Sequence, residues 1–244
     1  MWTSRKNESI WVAMPRIARI VAAGFPHHVI QRGNNREKVF FDAEDRERYL
    51  FLLKKYTGKW HSPVLAYCLM SNHVHLLVRP YADESLYKMM QGVTLCYTQH
   101  INKKYKRTGR LWESRYHSCV VEGESYLWAV ARYIEQNPVR AKMVERVEDY
   151  AYSSVKAHVT GARDEILTEE LFTEEQRQDD VKLIRTDIPK EEIDCLRYST
   201  KTGRPFGNNM PIQRVKDQLK TGFGKARGHI PAGGMCPLSS SRTR

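Results

Sequence analysis

"PVLAYCLMSNHVHLLVR", Pro63 to Arg79, decides the fold. Its first half is an apolar, β-prone run, Ser71-Asn72 reads as a tight turn, and "HVHLLVR" reads as the returning strand of a hairpin. Side chains alternate along a strand, so His73, His75, Leu77 and Arg79 share one face while Val74, Leu76 and Val78 share the other. The Val/Leu/Val face is expected to pack on helices, which leaves the two imidazoles projecting together from the opposite side. Two neutral imidazoles at that spacing can chelate one divalent cation. Taken alone, the pair reads by default as two exposed strand histidines with no ligand.

Upstream, "HHVIQRG" (His27 to Gly33) is a further short β-prone run closed by a Gly-Asn-Asn turn. Asp42 reads as a helix N-cap, followed by Tyr49, Leu50, Leu53 and Tyr56 at helical spacing up to Gly58. Downstream of the hairpin, Leu86, Met90, Val93, Tyr97 and Ile101 mark one face of a long helix that ends in a basic run. "RYHSCVV" (Arg115 to Val121) is a fourth strand. The order is strand, helix, strand, strand, helix, strand. It predicts an α+β fold with a ferredoxin-like βαββαβ core, an antiparallel sheet with helices on one face. A further helix follows, from about Glu124 to Asn137, with Leu127, Val130, Ala131 and Ile134 as its buried stripe.

Charge divides the chain differently. The 244 residues carry a net +12, made of +10 over residues 1–160, −7 over 161–194 and +9 over 195–244. The resulting division is a non-core extension at 1–13 ahead of a second methionine, Met14, a body at 14–160, an acidic connector at 161–194 and a basic, flexible tail at 195–244. A basic body and tail suggest a polyanionic partner. No run of about twenty apolar residues is present, so no membrane span is expected. Five cysteines, without a CxxC pair, point to the reducing cytoplasm.

The helix after the fourth strand adds Tyr133 and Asn137, four apart and therefore on one helix face. An amide oxygen is a reasonable ligand for a hard cation, and a tyrosine is a competent nucleophile where neighbouring cations favour its phenolate. An aromatic packed in the core and a polar helix end before Pro138 is the alternative. The basic residues Lys103, Lys104, Lys106, Arg107, Arg110, Arg115, Arg132 and Arg140 are candidates for phosphate contacts. Trp112 and Tyr116 are candidates for stacking on unpaired bases.

Together, "SNHVHLLV", "GRLWESRYHS" and "ARYIEQNPVRAKMV" resemble the single-tyrosine HUH (His-hydrophobic-His) transposases, and among them the REP-associated tyrosine transposases of bacteria. The likeness runs from about Met14 to His158, and "TGRPFG" (Thr202 to Gly207) resembles a C-terminal element of these proteins. It implies that His73 and His75 are metal ligands, Tyr133 the nucleophile and Asn137 a further ligand, at a place where insertion-sequence relatives often carry Gln. It also implies Mg²⁺ or Mn²⁺, strand transfer on single-stranded DNA flanking palindromic hairpins, and a 5′-phosphotyrosine intermediate. The chain is expected to work as a monomer or homodimer. A domesticated DNA-binding protein without cleavage activity and an RNA-binding ferredoxin-like module are the rival readings.

Overall fold

Residues 21–207 are described by the computed structural model. Strands β1 (His27–Arg32), β2 (Val64–Leu69), β3 (His73–Val78) and β4 (His117–Val120) form one sheet in the order β2-β3-β1-β4. Every neighbouring pair is antiparallel. Helix α1 (Ala43–Lys59) connects β1 to β2, and α2 (Ser85–Lys104) connects β3 to β4. The ferredoxin-like order expected from the sequence is therefore the one observed. Helices α3 (Glu124–Glu135), α4 (Asn137–Arg140), α5 (Val155–Thr160), α6 (Glu174–Leu183) and α7 (Lys190–Thr202) follow.

The alternation along β3 sorts the core. Val74, Leu76 and Val78 meet Tyr49 and Leu53 of α1 and Leu86, Met90, Val93 and Tyr97 of α2. Leu77, on the opposite face, meets Val130, Tyr133 and Ile134 of α3 and Leu196 of α7. Both faces are thus covered: the core helices take one, and α3 with α7 takes the other. The one-sided layer read from the sequence describes the βαββαβ unit, and the later helices close its open side.

Asp42 caps α1 through a capping box: its Oδ1 accepts from the Asp45 amide at 2.9 Å, and Asp45 Oδ2 accepts from the Asp42 amide at 3.3 Å. Helices α1 and α2 approach closely at Gly92, where an added Cβ would lie 2.2 Å from the Tyr56 ring. Gly92→Ala is therefore expected to destabilise the protein by about 1–3 kcal/mol, even though alanine favours a helix by about 1 kcal/mol. Urea unfolding measures it; an unchanged or raised midpoint would mean that the ring moves aside freely.

His27, fully buried at the start of β1, donates from Nδ1 to the Phe25 carbonyl at 2.7 Å and accepts at Nε2 from the Ala22 amide at 3.1 Å. Burial lowers its pKa to about 4, partly opposed by the bond to Phe25. The unfolded chain takes up this proton near pH 6.5 and the folded one near 4. Stability is then lost as pH falls through that window, by about 3 kcal/mol in all from this residue. His27→Gln is expected to flatten the fall of the urea midpoint between those pH values by the equivalent of one proton.

Two domain boundaries read from composition are corrected. The acidic segment is no free connector: Lys54 pairs with Glu165 at 2.6 Å, Arg79 with Glu169, and Tyr67 donates to Asp164 at 2.9 Å, while Leu167 bridges to Val64 on β2. Glu165 and Glu169 thus lie against basic residues of the body. The boundary at 195 falls inside α7, whose Leu196, Ser199 and Thr200 are buried, and Phe206 bridges to Val121 beside β4. Averaging charge over 195–244 hid an amphipathic helix at the start of that window. The extension at 1–13, the proposed start at Met14 and residues 208–244 lie outside the described residues. Among the described residues no helix is long and apolar enough to cross a membrane.

Candidate active site

The head of β3 is held by the turn that follows β1. Gly33 donates its amide to the Asn72 carbonyl at 2.8 Å, and Asn72 Nδ2 donates to the Arg36 carbonyl at 2.9 Å. The approach requires glycine, since a Cβ at Gly33 would lie 2.3 Å from the Glu37 carbonyl oxygen. Asn72 Oδ1 in turn accepts from His73 Nδ1 at 2.6 Å. The same side chain that ties the two turns together therefore orients the first histidine.

His73 and His75 lie together as expected, with ring centroids 4.9 Å apart. A third imidazole joins them. His28, on β1, sits nearly parallel to His75 with an interplanar angle of 4°, and its Nε2 is 3.1 Å from His75 Nδ1. On its far side His28 Nδ1 is 2.8 Å from Thr200 Oγ1 on α7.

Helix α3 brings Tyr133 edge-on to both rings, its centroid 5.6 Å from His28 and 5.6 Å from His75. The Arg140 guanidinium lies 4.5 Å from the centre of the Tyr133 ring and donates to the Tyr133 carbonyl. Arg197 Nε, from α7, donates to the Tyr133 hydroxyl at 3.4 Å. Asn137 Nδ2 donates to the carbonyls of Tyr133 at 2.9 Å and Ile134 at 3.1 Å, closing the end of α3. Among the described residues no hydrogen bond engages Asn137 Oδ1, and none joins Asn137 to either imidazole of the pair. The aromatic hydroxyl thus meets one guanidinium, and a second lies on the face of its ring.

Burial sets the charge of the histidines. It lowers His28 to about 3, and with the nearby Arg32 it lowers His73 to about 4. His75 falls well below the usual imidazole range through burial first, then through His73, His28, Arg140 and Arg197. All three rings are neutral at neutral pH, and neutral imidazole is the form that binds metal. In His73 and His75 alike Nδ1 is engaged, while Nε2 has no hydrogen bond among the described residues. The pair therefore fits a divalent cation. Among the described residues no cluster of three His, Cys, Asp or Glu surrounds it, so a further protein ligand would be an amide oxygen such as that of Asn137.

The basic candidates separate. Lys103, Lys106, Arg110 and Arg115 are exposed. Arg107 lies over the Phe41 ring and 3.8 Å from Glu37, and Arg132 is half-buried on α3. Lys104 is corrected: its ammonium contacts Asp42 at 2.8 Å, Glu44 at 2.8 Å and the buried Asp45 at 3.0 Å, so it joins α2 to the capped end of α1. Arg140 belongs to Tyr133 as described. Trp112 and Tyr116 pack in the core, Trp112 against Tyr49 and Tyr97, and do not offer a stacking surface. Sequence reasoning missed His28, Asn72, Arg197 and Thr200. Alternation about Val29 signals that His28 faces away from α1 and α2; nothing local signals the two α7 residues.

Comparison with known proteins agrees with the resemblance carried by the motifs. Residues 23–137 match the family model described as "Transposase IS200 like". A curated relative, a "Putative REP-associated tyrosine transposase" of Haemophilus influenzae, is 28% identical over 110 residues, covering 39% of this chain and 62% of the relative. The chain thus spans less than two thirds of that relative's length. A solved structure, "Structure of the REP associates tyrosine transposase bound to a REP hairpin", aligns with a TM-score of 0.53 at 15% identity, over 67% of this chain and 96% of the other. At that identity the likeness is one of fold.

Proposed function

We propose that this chain, whose residues 23–137 match the IS200-like transposase model, is a transposase of that kind: a metal-dependent single-stranded DNA endonuclease and strand transferase acting at hairpin-forming repeats in the cytoplasm. The observation that carries the reading is the cluster itself: the Tyr133 ring stands edge-on to His75, His75 lies beside His73, neither Nε2 of that pair carries a hydrogen bond among the described residues, and guanidiniums sit on the tyrosine ring and at its hydroxyl. A hairpin substrate is supported by the structural relative, which is bound to a REP hairpin.

In this reading the Tyr133 oxygen attacks the scissile phosphorus, and the bond from phosphorus to the 3′ oxygen breaks. The departing oxygen leaves as a 3′-hydroxyl, gaining the proton that the phenol gives up. A 5′-phosphotyrosine remains, and attack by a 3′-hydroxyl reverses the step without ATP because the ester is retained. Arg197 donates to the Tyr133 oxygen and Arg140 lies on the ring face, so both place positive charge beside the group that attacks. Asn137 and Arg140 fix the backbone that carries the nucleophile. A divalent cation, Mg²⁺ or Mn²⁺, bound by His73 and His75 with Asn137 as a further ligand, would polarise the phosphate oxygens.

The test is cleavage of a labelled hairpin with a single-stranded flank, with Mn²⁺ and with EDTA. Cleavage with Mn²⁺, its loss in EDTA and its loss in both His73→Ala and His75→Ala are expected. Tight hairpin binding with no cleavage under any divalent ion would instead favour a domesticated DNA-binding protein. Cleavage at wild-type rates by both variants in EDTA would remove the metal.

A further inference from the structure

We propose that Thr200 and His28 are positioning residues for His75: through a chain of two hydrogen bonds they keep its proton on Nδ1 and present its Nε2 lone pair to the site. The reasoning starts from α7. Thr200 Oγ1 has one proton, and it goes to the Leu196 carbonyl one turn back, at 2.9 Å. Toward His28 Nδ1, at 2.8 Å, the same oxygen can therefore only accept. That assigns the His28 proton to Nδ1. A neutral imidazole carries one proton, so His28 Nε2 is an acceptor, and across 3.1 Å it takes a hydrogen bond from His75 Nδ1–H. His75 Nε2 is left with its lone pair. Cys119 Sγ, 3.3 Å from Thr200 Oγ1, fills the remaining place on that oxygen as a donor.

The other histidine reaches the same result by a separate route. Asn72 Nδ2 donates to the Arg36 carbonyl, which turns Oδ1 toward His73 and assigns the proton there to Nδ1. Two unrelated devices, one local and one spanning 172 residues, orient both rings alike. Such an arrangement suits a pair of ligands, whose second nitrogen is commonly fixed by a hydrogen bond. The significance for metal binding rests on the function proposed above; the proton assignment does not.

Thr200→Val keeps the shape of a residue that is 2% exposed and deletes the acceptor. His28 Nδ1–H then has no partner, and the ring is expected to adopt the other tautomer, donating from Nε2 to His75 Nδ1. His75 must then carry its proton on Nε2, where the lone pair was. The experiment uses the full-length, metal-free protein labelled with ¹⁵N-histidine, read by long-range ¹H–¹⁵N correlation, followed by Mn²⁺ titration. In the wild type the His75 pattern should be that of the Nδ1–H form; in Thr200→Val it should shift to the Nε2–H form, with Mn²⁺ affinity down about tenfold to a hundredfold. Thr200→Ser should restore both, which a role confined to packing would not do. An Nε2–H pattern in the wild type, or an unchanged pattern in a folded Thr200→Val, overturns the proposal. If the tautomer switches as described but the wild type binds no Mn²⁺, the proton relay stands and the metal reading falls.

Discussion

Tyr133→Phe is expected to abolish cleavage and the covalent protein–DNA adduct, a loss of at least about a thousandfold, while hairpin affinity stays within about twofold. Among the described residues the hydroxyl has one hydrogen-bond partner, Arg197 Nε at 3.4 Å, and its removal leaves the ring in place against His28 and His75. Stability should therefore change by no more than about 1 kcal/mol. Denaturing gels with labelled DNA read the adduct, and a shift assay reads binding. An adduct that persists in the variant would transfer the nucleophile's role to another residue. Lost binding would show that the hydroxyl holds the substrate.

The largest effect on stability is expected at the other side of α3. Glu135, 1% exposed, accepts at Oε1 from Ser154 Oγ at 2.5 Å and from His158 Nδ1 at 2.6 Å. Ser154 also joins β2, accepting at Oγ from the Tyr67 amide at 3.0 Å and donating its own amide to the Tyr67 carbonyl at 3.1 Å. The cluster therefore ties the end of the Tyr133 helix to the edge of the sheet. His158→Leu removes the imidazole and leaves the buried Glu135 carboxyl with the Ser154 hydroxyl as its Oε1 partner among the described residues. A destabilisation of about 3–5 kcal/mol follows, read as the shift in urea midpoint. Pairing the change with Glu135→Leu should recover part of the loss, because the stranded charge goes with it. A single-variant loss under about 1 kcal/mol would mean that the His158 contact does not hold α3 to the sheet.

Much of this was legible in the sequence where the signal is local. The period of two in "HVHLLV" sorted the two faces of β3, the period of α2 named its buried residues, and Asp42 marked the start of α1. Tyr133 and the histidine pair were legible as a set only because three separated motifs agreed. The remainder depends on contacts between distant segments. His28 matters because β1 lies beside β3 in one particular register, which no stretch of β1 encodes by itself. Lys104 looked like a phosphate contact until the acidic first turn of α1 came against it. Arg197 and Thr200 were hidden because charge averaged over a long window describes composition and not the face of a helix.

The docking of α7 also puts the site on a timetable. When the ribosome has joined Tyr133 to the chain, the histidines are already made, but Arg197 and Thr200 are not. At about 5–20 residues per second, the interval until Phe206 is added lasts several seconds. Throughout that interval Leu65, Ala66 and Leu77, which are fully buried in the finished protein, lack the helix that helps to cover their face. The nascent chain is then most exposed to misassembly, and its centre is incomplete. A polypeptide that stalls before α7 would carry Tyr133 and both strand histidines without Arg197 and Thr200, so truncated products of translation are expected to be sticky and, under the proposed function, poor at cutting DNA.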